Sequence, residues 1–236
     1  MTRRRWIADE ISGNRASLTG EHARHLTRVL RAQVGQEFDI AANSVVRHGR
    51  IVSISDARVE FELGEEIPAE SASNLTLLIA VFKFDRMEWA IEKCTELGAS
   101  RIVPVIARRT DAHLATASAK RAERWRRIAQ QAAEQSRRMA PPEIAEPLKF
   151  KDAVALPSEL RIVLSECEHE TALRDLLVTP VGGVVSLAIG PEGGWTEDEL
   201  TQFEAAGWIS ASLGTTILRA ETAAIAATAV VISQFG

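Results

Sequence analysis

The chain is poor in the residues that covalent and metal-dependent enzymes need. It has two cysteines, Cys94 and Cys167, in 236 residues, which excludes a disulfide framework and predicts free thiols in a reducing compartment. The five histidines are scattered, and the pair His22 and His25 lacks the spacing and the glutamate of a helical zinc site. We therefore expect no metal. Neither a Ser/His/Asp set nor a pair of spaced carboxylates indicates a hydrolase.

Long apolar runs are also missing, so no segment is expected to span a membrane. The three arginines at positions 3–5 resemble the start of a secretory leader, but no apolar segment follows them. These two absences predict a cytoplasmic protein.

The net charge of −4 does not by itself indicate a nucleic-acid partner, but the charge is unevenly distributed. Nine Lys or Arg face five Asp or Glu in residues 1–50, and ten face three in residues 101–140. In residues 141–236, five face fourteen. Such a chain can bind a polyanion through its basic segments, although arginine-rich helices that are merely solvated would give the same counts.

The patterning predicts two domains, residues 1–72 and residues 73–236. In the first, short stretches alternate with period two, and residues 21–30 read as one helix, which together resemble a small closed or partly closed β-barrel. The polar stretch 64–74 contains proline and small residues and marks the boundary.

The second part alternates between strands and helices. We expect strands at 75–82, 101–106, 161–165, 184–189 and 209–213, and helices at 86–97, 120–138, after the Thr196–Glu199 capping box, and at 222–234. This alternation predicts a mostly parallel sheet covered by helices, with ligands at the carboxyl ends of the strands. The helix at 222–234 is apolar nearly all round and should be buried.

Two glycine-rich turns lie at those strand ends, in residues 189–196 and 213–222. Glycine lets bare backbone approach a ligand, although an ordinary strand-to-helix turn is the simpler interpretation of either one alone. Neither matches a phosphate-binding loop, and Glu192 would repel a pyrophosphate. An acidic side chain beside free amides suits a ribose or a positively charged sulfonium instead.

Arg219 and Glu221 stand at the start of the otherwise apolar last helix. The helix dipole explains a carboxylate at that end but not a guanidinium, so Arg219 indicates an anionic or carbonyl-rich partner. Since no catalytic set stands out, the pattern favours a reaction in which a cosubstrate carries the difficult chemistry. Methyl transfer from a sulfonium is such a reaction.

Four further motifs accompany the two turns: HLTRVLR at 25–31, KFDRMEW at 83–89, KCTELG at 93–98 and AEQS at 133–136. In this order they resemble the uracil-N3 methyltransferases of bacterial 16S ribosomal RNA, members of the SPOUT class. The resemblance implies a knotted α/β catalytic domain with a trefoil knot and a mostly parallel sheet, a PUA-like RNA-binding barrel before it, and a homodimer. It also implies S-adenosylmethionine as cofactor and, as substrate, a uridine in the decoding region of the small ribosomal subunit.

The resemblance also implies site residues. Catalysis falls to Arg219, to Glu221 as base or substrate orienter, and to Glu192 as the alternative base. The cofactor would contact Leu164, Ser165, Glu166, Ile189, Gly190, Pro191, Glu192, Gly193, Gly194, Leu213, Gly214, Ile217, Leu218, Arg219 and Thr222. RNA would contact Arg3, Arg4, His25, Arg28, Arg31, Lys83, Arg86, Arg124, Arg127, Arg137 and Arg138.

Two residues depart from the family pattern. Thr216 stands where an arginine is usual, and Arg137 follows the AEQS motif where a glycine is common. Arg219 would then act alone, or Arg137 or Arg138 would replace the missing cation. Two other functions stay open: a SPOUT methyltransferase acting on another RNA nucleotide, and a catalytically weak RNA-binding assembly factor.

Overall fold

The computed structural model describes residues 5–42, 45–55, 57–67, 73–177 and 182–235. Arg3 and Arg4, two of the expected RNA contacts, lie outside these ranges. The chain forms two compact units. The first unit contains the described residues up to 67 together with Ala133–Pro141, and the second unit contains the described residues 73–132 and 142–235.

The first unit is built on one six-stranded sheet. Its strands are β1 (Arg5–Ile7), β2 (Glu10–Ser12), β3 (Arg15–Thr19), β4 (Glu37–Ala42), β5 (Val45–Ile54) and β6 (Arg58–Ile67), in the spatial order β1-β4-β5-β6-β3-β2. The pair β1 and β4 is parallel and the other pairs are antiparallel. Alternate residues of β6, Val59, Phe61 and Leu63, are buried, which is the period-two pattern of a strand with one face on a core.

The single helix expected at 21–30 is wrong in detail. The structure has a short α1 (Gly20–Arg24) followed by one turn of π-helix at His25–Val29. The Thr27 hydroxyl donates to the carbonyl of Ala23 at 2.9 Å, so a side chain competes for a carbonyl within this segment. Wide turns of this kind occur often at functional positions.

The second unit contains a parallel sheet, as predicted. Its strands are β7 (Leu75–Ala80), β8 (Arg101–Ile106), β9 (Glu143–Ile144), β10 (Leu148–Lys149), β11 (Leu160–Leu164), β12 (Val185–Ile189) and β13 (Ile209–Ala211). The spatial order is β10-β8-β7-β12-β11-β13, with β9 also on β8, and every described pairing is parallel. The chain order reverses where β11 lies between β12 and β13, and such reversals open crevices for ligands.

Helices cover this sheet. They are α2 (Phe84–Leu97), α3 (Ala112–Ser118), α4 (Ala122–Gln135), α5 (Phe150–Val154), α6 (Glu197–Ala205) and α7 (Ala220–Phe235), with 3-10 turns at Ala119–Arg121 and Leu173–Leu177. The α7 helix packs on α2 and buries Ala224, Ala227 and Val231. Its other faces are only partly covered, at Ile225 and Val230 for example, so the expectation that this helix is buried holds for one face within this chain.

Two helix ends depend on left-handed backbone. Gly98 ends α2 with φ 116°, a conformation that glycine adopts without strain. Arg137, two residues beyond α4, has φ 63° although it carries a side chain. This conformation gives a physical reason for the glycine that the resembling family commonly has at position 137.

Candidate functional site

The first glycine-rich turn follows β12 and leads into α6. Thr196 caps α6 and forms the predicted capping box: its hydroxyl oxygen accepts from the backbone N–H of Glu199, and its own backbone N–H donates to the Glu199 carboxylate. The Thr196 hydroxyl also donates to this carboxylate. Glu199 is buried and also accepts from the backbone N–H of Arg108 at 2.7 Å. Three donors thus hold this carboxylate, and the segment after β8 is tied to the start of α6.

Arg109 fixes the turn from the same side. Its guanidinium donates to the backbone carbonyls of Gly193 and Trp195. The Trp195 indole is buried against Phe150 and Phe203 and lies directly behind Gly190. The turn is thus held by Arg109 on one side and packed against a buried aromatic cluster on the other.

The second glycine-rich turn follows β13 and leads into α7. Gly214 has φ 131°, and residues 214–217 are exposed, with Ile217 at 83%. Arg219 is exposed and has no ion-pair or hydrogen-bond partner among the described residues. The turn therefore presents backbone and one unpaired guanidinium to solvent.

Both turns and the carboxyl end of β11 enclose a cavity of about 540 Å³. Its size is that of pockets for small organic ligands. Of the fifteen expected cofactor residues, thirteen line it, and Gly193 and Thr222 do not. Gly193 is held by Arg109, and Thr222 is exposed on α7.

Several other residues also line the cavity, and they were not among the expected cofactor contacts. They are Arg86, Cys167, Glu168, His169, Trp195, Leu200, Ala211, Ser212, Thr215, Thr216, Ala220 and Ala223. Most are chain neighbours of residues that were expected. The exceptions are Leu200, which comes from α6, and Arg86, which comes from α2 and was expected to contact RNA phosphates. No motif places Arg86 beside the two turns.

The expected catalytic residues differ in their access to the cavity. Glu192 and Arg219 line it, whereas Glu221 does not. Glu221 is 3% exposed, and its Oε1 lies 3.7 Å from Nε of Arg86. Its Oε2 is buried and has no hydrogen-bond partner among the described residues. Glu221 thus reaches the cavity only through Arg86.

The two cysteines lie in different environments. Cys94 is buried in the α2–α7 packing, where burial raises the pKa of its thiol to about 12, although the Thr228 hydroxyl donates to its sulfur. Cys167 is exposed at the cavity wall, and both are free thiols. Across the described residues no group of His, Cys, Asp and Glu could hold a metal ion, and no helix is long and apolar enough to cross a membrane.

The expected RNA contacts of the first unit include exposed side chains on the π-helical turn and just after it. His25, Arg28 and Arg31 are exposed, and Arg31 has φ 52°. Exposed Val29 lies among them, 65% accessible. This segment therefore presents two exposed arginines, side chains that commonly contact RNA phosphates.

Close by in the sequence, His22 is held on both sides of its ring. Nδ1 lies 2.8 Å from Oδ1 of Asp9, and Nε2 lies 3.3 Å from Oε1 of Glu134. The hydrogen bond with Asp9 raises the pKa of His22, against the effect of burial. Burial acts to raise the pKa of Asp9, but hydrogen bonds from His22 and Thr19 lower it overall.

The other expected RNA contacts differ in their exposure and in the partners that they already have. Lys83, Arg127 and Arg137 are exposed, whereas Arg138 is half-buried and burial lowers the pKa of its guanidinium. Arg124 is already bound by both carboxylate oxygens of Glu88, at 2.7 and 2.8 Å. A phosphate would have to compete with this bidentate pair.

Comparisons with known proteins agree with this geometry. Residues 69–232 match the family model for an RNA methyltransferase domain. The ribosomal RNA small subunit methyltransferase E of a Synechocystis species is 34% identical over 91% of this chain and 72% of its own length. The enzyme of the same name from Neisseria gonorrhoeae, crystallised with S-adenosylmethionine, superposes with a TM-score of 0.87 at 30% identity, over 99% of this chain and 98% of that one. A Legionella pneumophila methyltransferase with the same cofactor bound superposes with a TM-score of 0.84 at 29% identity, over 99% and 98%.

Proposed function

This chain belongs to the family of the ribosomal RNA small subunit methyltransferases E, and on that premise we propose that it transfers a methyl group from S-adenosylmethionine to N3 of one uridine in 16S ribosomal RNA. The observation that carries the proposal is the cavity between the two glycine-rich turns, since two related structures of this fold hold S-adenosylmethionine. The uridine and its place in the decoding region rest on the family resemblance.

The residues of the cavity suit this cofactor. Leu164, Ile189 and Leu218 supply apolar surface for an adenine, and Glu166 and Glu192 supply carboxylates for ribose hydroxyls or the positive sulfur. When bound, S-adenosylmethionine supplies a methyl group that is already activated for transfer. We assign cofactor binding to the expected residues that line the cavity except Arg219, which we assign to the acceptor, and we place Gly193 and Thr222 in supporting positions.

Methylation at N3 requires the loss of a proton that lies between two carbonyls. The bond from N3 to the methyl carbon forms as the sulfur–carbon bond breaks, its electron pair stays on sulfur, and the N3 proton passes to a base. Arg219 is placed to stabilise the negative charge that spreads onto a carbonyl oxygen of the base. The proposed catalytic set contains two carboxylates, Glu192 and Glu221. Glu192, the expected alternative base, is the one that lines the cavity.

The wider organisation of the proposal follows the family. The domain of residues 1–72 would be a PUA-like barrel that holds RNA through His25, Arg28 and Arg31, and residues 73–236 would form the SPOUT domain with a trefoil knot. Lys83, Arg127 and Arg137 are exposed cations that could add phosphate contacts. We expect a homodimer that works in the cytoplasm, where ribosomes are assembled.

Methyl transfer to small ribosomal subunits tests the proposal. Subunits are isolated from a strain that lacks its own enzyme of this family, incubated with the purified protein and methyl-labelled S-adenosylmethionine, and their RNA is digested to nucleosides for mass spectrometry. We expect one labelled 3-methyluridine per subunit. Label on a different nucleotide would favour the other SPOUT activity. Absence of label together with subunit binding would favour an assembly factor.

A further inference from the structure

Arg86 occupies a position that its own helix disfavours. It is the third residue of α2, and the positive end of a helix dipole repels a cation in the first turn. Its side chain is 31% exposed and lines the cavity. A carboxylate group outside α2 and close to the guanidinium would offset this repulsion at the cavity wall.

Glu221 is that group. It is the second residue of α7, where the dipole favours a carboxylate, and its side chain is 4% exposed. A carboxylate buried this far is costly unless it has a charged partner. Within the described part of the chain Arg86 is its one ion-pair partner, so α2 and α7 are joined by this pair at their first turns.

The geometry of the pair is incomplete. A separation of 3.7 Å between Nε of Arg86 and Oε1 of Glu221 exceeds hydrogen-bond length, and Oε2 of Glu221 has no donor. The terminal nitrogens of Arg86 have no hydrogen-bond partner among the described residues. One side of the guanidinium thus faces Glu221, and its other N–H groups are left for a ligand.

Arg86 and Arg219 differ in whether a carboxylate balances their positive charge. Arg219 has no carboxylate partner in the described structure and presents a full positive charge, whereas the Arg86–Glu221 pair is neutral as a whole. Because the pair has no net charge, its free N–H groups suit a neutral carbonyl oxygen better than the full charge of a phosphate or carboxylate. The hydrogen bonds from these N–H groups become stronger as the carbonyl oxygen gains negative charge during the reaction. Glu221 itself does not line the cavity, and a general base must reach the proton that it removes.

We propose that Glu221 is a positioning residue, whose buried carboxylate orients the Arg86 guanidinium so that Arg86 donates to a carbonyl oxygen of the acceptor base. This inference rests on the proposed function and replaces the expectation that Glu221 removes the proton. It gives Arg86 a contact with the target base in place of an RNA phosphate.

The test uses Arg86→Ala, Glu221→Gln and the double variant, with Glu143→Gln as the matched control. Glu143 also pairs with an arginine, Arg101, but neither residue lines the cavity or is an expected RNA contact. Single-turnover methyl transfer to unmethylated small subunits is measured at saturating S-adenosylmethionine, and the cofactor affinity of each variant is first measured by calorimetry so that saturation is ensured. Under these conditions we expect each single variant to lose about 100-fold in rate whatever its cofactor affinity, the double variant to lose no more, and Glu143→Gln to lose nothing.

Two readouts separate positioning from a structural or basic role. Ethylguanidinium should restore part of the rate to Arg86→Ala but not to the double variant, because the added cation needs Glu221 to hold it. The pH–rate profile of Glu221→Gln should keep its wild-type shape, whereas loss of its ascending limb would mean that Glu221 is the base. Additive losses in the double variant, or an unchanged rate in Arg86→Ala, would overturn the inference.

Folding and the proposed function are controlled separately. If Glu221→Gln does not fold, the double variant is lost with it, but Arg86→Ala and its rescue still decide whether Arg86 acts on the acceptor. Glu221→Asp, which keeps the charge and shortens its reach, then tests the positioning role, and a wild-type rate in that variant would count against Glu221. If both variants fold, rescue that is as strong in the double variant counts against Glu221. A wild-type protein that labels no uridine would refute the proposed function, while an active wild type with an unaffected Arg86→Ala would refute this inference alone.

Discussion

Valine at position 190 tests whether the first turn holds the cofactor. An added Cβ at Gly190 would lie 3.3 Å from Nε1 and 3.4 Å from Cδ1 and Cε2 of Trp195. The indole has little room to move, because it is 7% exposed and its ring centroid lies 5.8 Å from that of Phe150 and 4.9 Å from that of Phe203. The valine methyl groups must therefore push either into the aromatic cluster or into the cavity.

The magnitude follows from overpacking. Extra carbon atoms in a filled site cost about 1–3 kcal/mol of unfolding free energy. For a chain of this size about 2 kcal/mol lowers the melting temperature by roughly 4–8 °C. A turn displaced by a few tenths of an ångström also loses contacts with the cofactor, so we expect its dissociation constant to rise at least about tenfold, the equivalent of about 1.4 kcal/mol.

Gly207→Val is the matched control. Gly207 has φ 77°, and an added Cβ would have no atom within 4 Å, so valine there costs backbone strain without a collision. It lies between α6 and β13 and does not line the cavity. The strain is about 1–3 kcal/mol, similar to the loss expected at position 190.

Thermal unfolding and calorimetry with S-adenosylmethionine on both variants decide the matter. Equal losses of stability with an affinity loss only in Gly190→Val would support the cofactor site. Wild-type affinity in Gly190→Val would refute the placement of the cofactor at this turn. Equal affinity losses in both variants would show that general destabilisation is the cause.

Arg219→Ala should lose about 100-fold or more in single-turnover methyl transfer with little change in cofactor affinity by calorimetry, because it removes a cation that acts on developing charge; a collapse of affinity instead would make it a cofactor ligand. Arg28→Glu should weaken RNA binding and flatten the salt dependence of the affinity in filter-binding assays, and an unchanged slope would mean that this arginine only solvates the surface. The hydrogen bond with Asp9 raises the pKa of His22, so the contribution of His22 to stability is complete below pH 6.5 and is lost as the pH rises through the higher folded-state pKa. In urea unfolding at several pH values, a His22→Gln protein should lose this part of the pH dependence of the unfolding free energy. A pH dependence identical to that of the wild type would contradict the prediction. Ile225→Asp, on the partly covered face of α7, should turn the expected homodimer into an inactive monomer in light scattering, whereas a wild-type protein that is an active monomer would contradict the dimer.

The local features of the second unit were predictable because each depends on neighbouring residues. The strand-helix alternation follows from apolar runs, the α6 start from Thr196 and Glu199, and the end of α2 from Gly98. The parallel sheet then follows, and it places both glycine-rich turns at strand ends. Thus the position of the cavity, with most of its wall, could be inferred from the sequence.

Features that depend on distant contacts could not be inferred. Arg86 and Glu221 are far apart in the sequence, and no periodicity signals that two first helical turns meet. Arg124 looks like a free cation in the sequence because Glu88 lies on another helix. Val231 also lies on the apolar last helix, but it is 1% exposed in the core of its own chain, so a charge there would disturb folding and would not test a dimer.

The charges around the cavity follow the order of the strands. The two inner strands, β12 and β11, lead to the carboxylates Glu192 and Glu166, whereas β7 and β13 on either side lead to the guanidinium groups of Arg86 and Arg219. A sulfonium donor is favoured beside the carboxylates, and an acceptor base that loses a proton is favoured beside the guanidiniums. Because Arg86 is neutralised by Glu221 and Arg219 is not, only one of the two cations should repel the positively charged donor. Replacing Glu221 with glutamine would leave the positive charge of Arg86 unbalanced, so the binding of S-adenosylmethionine should become weaker relative to that of S-adenosylhomocysteine, which lacks the sulfonium charge. An affinity ratio equal to that of the wild type would show that the Arg86 charge does not reach the methyl donor.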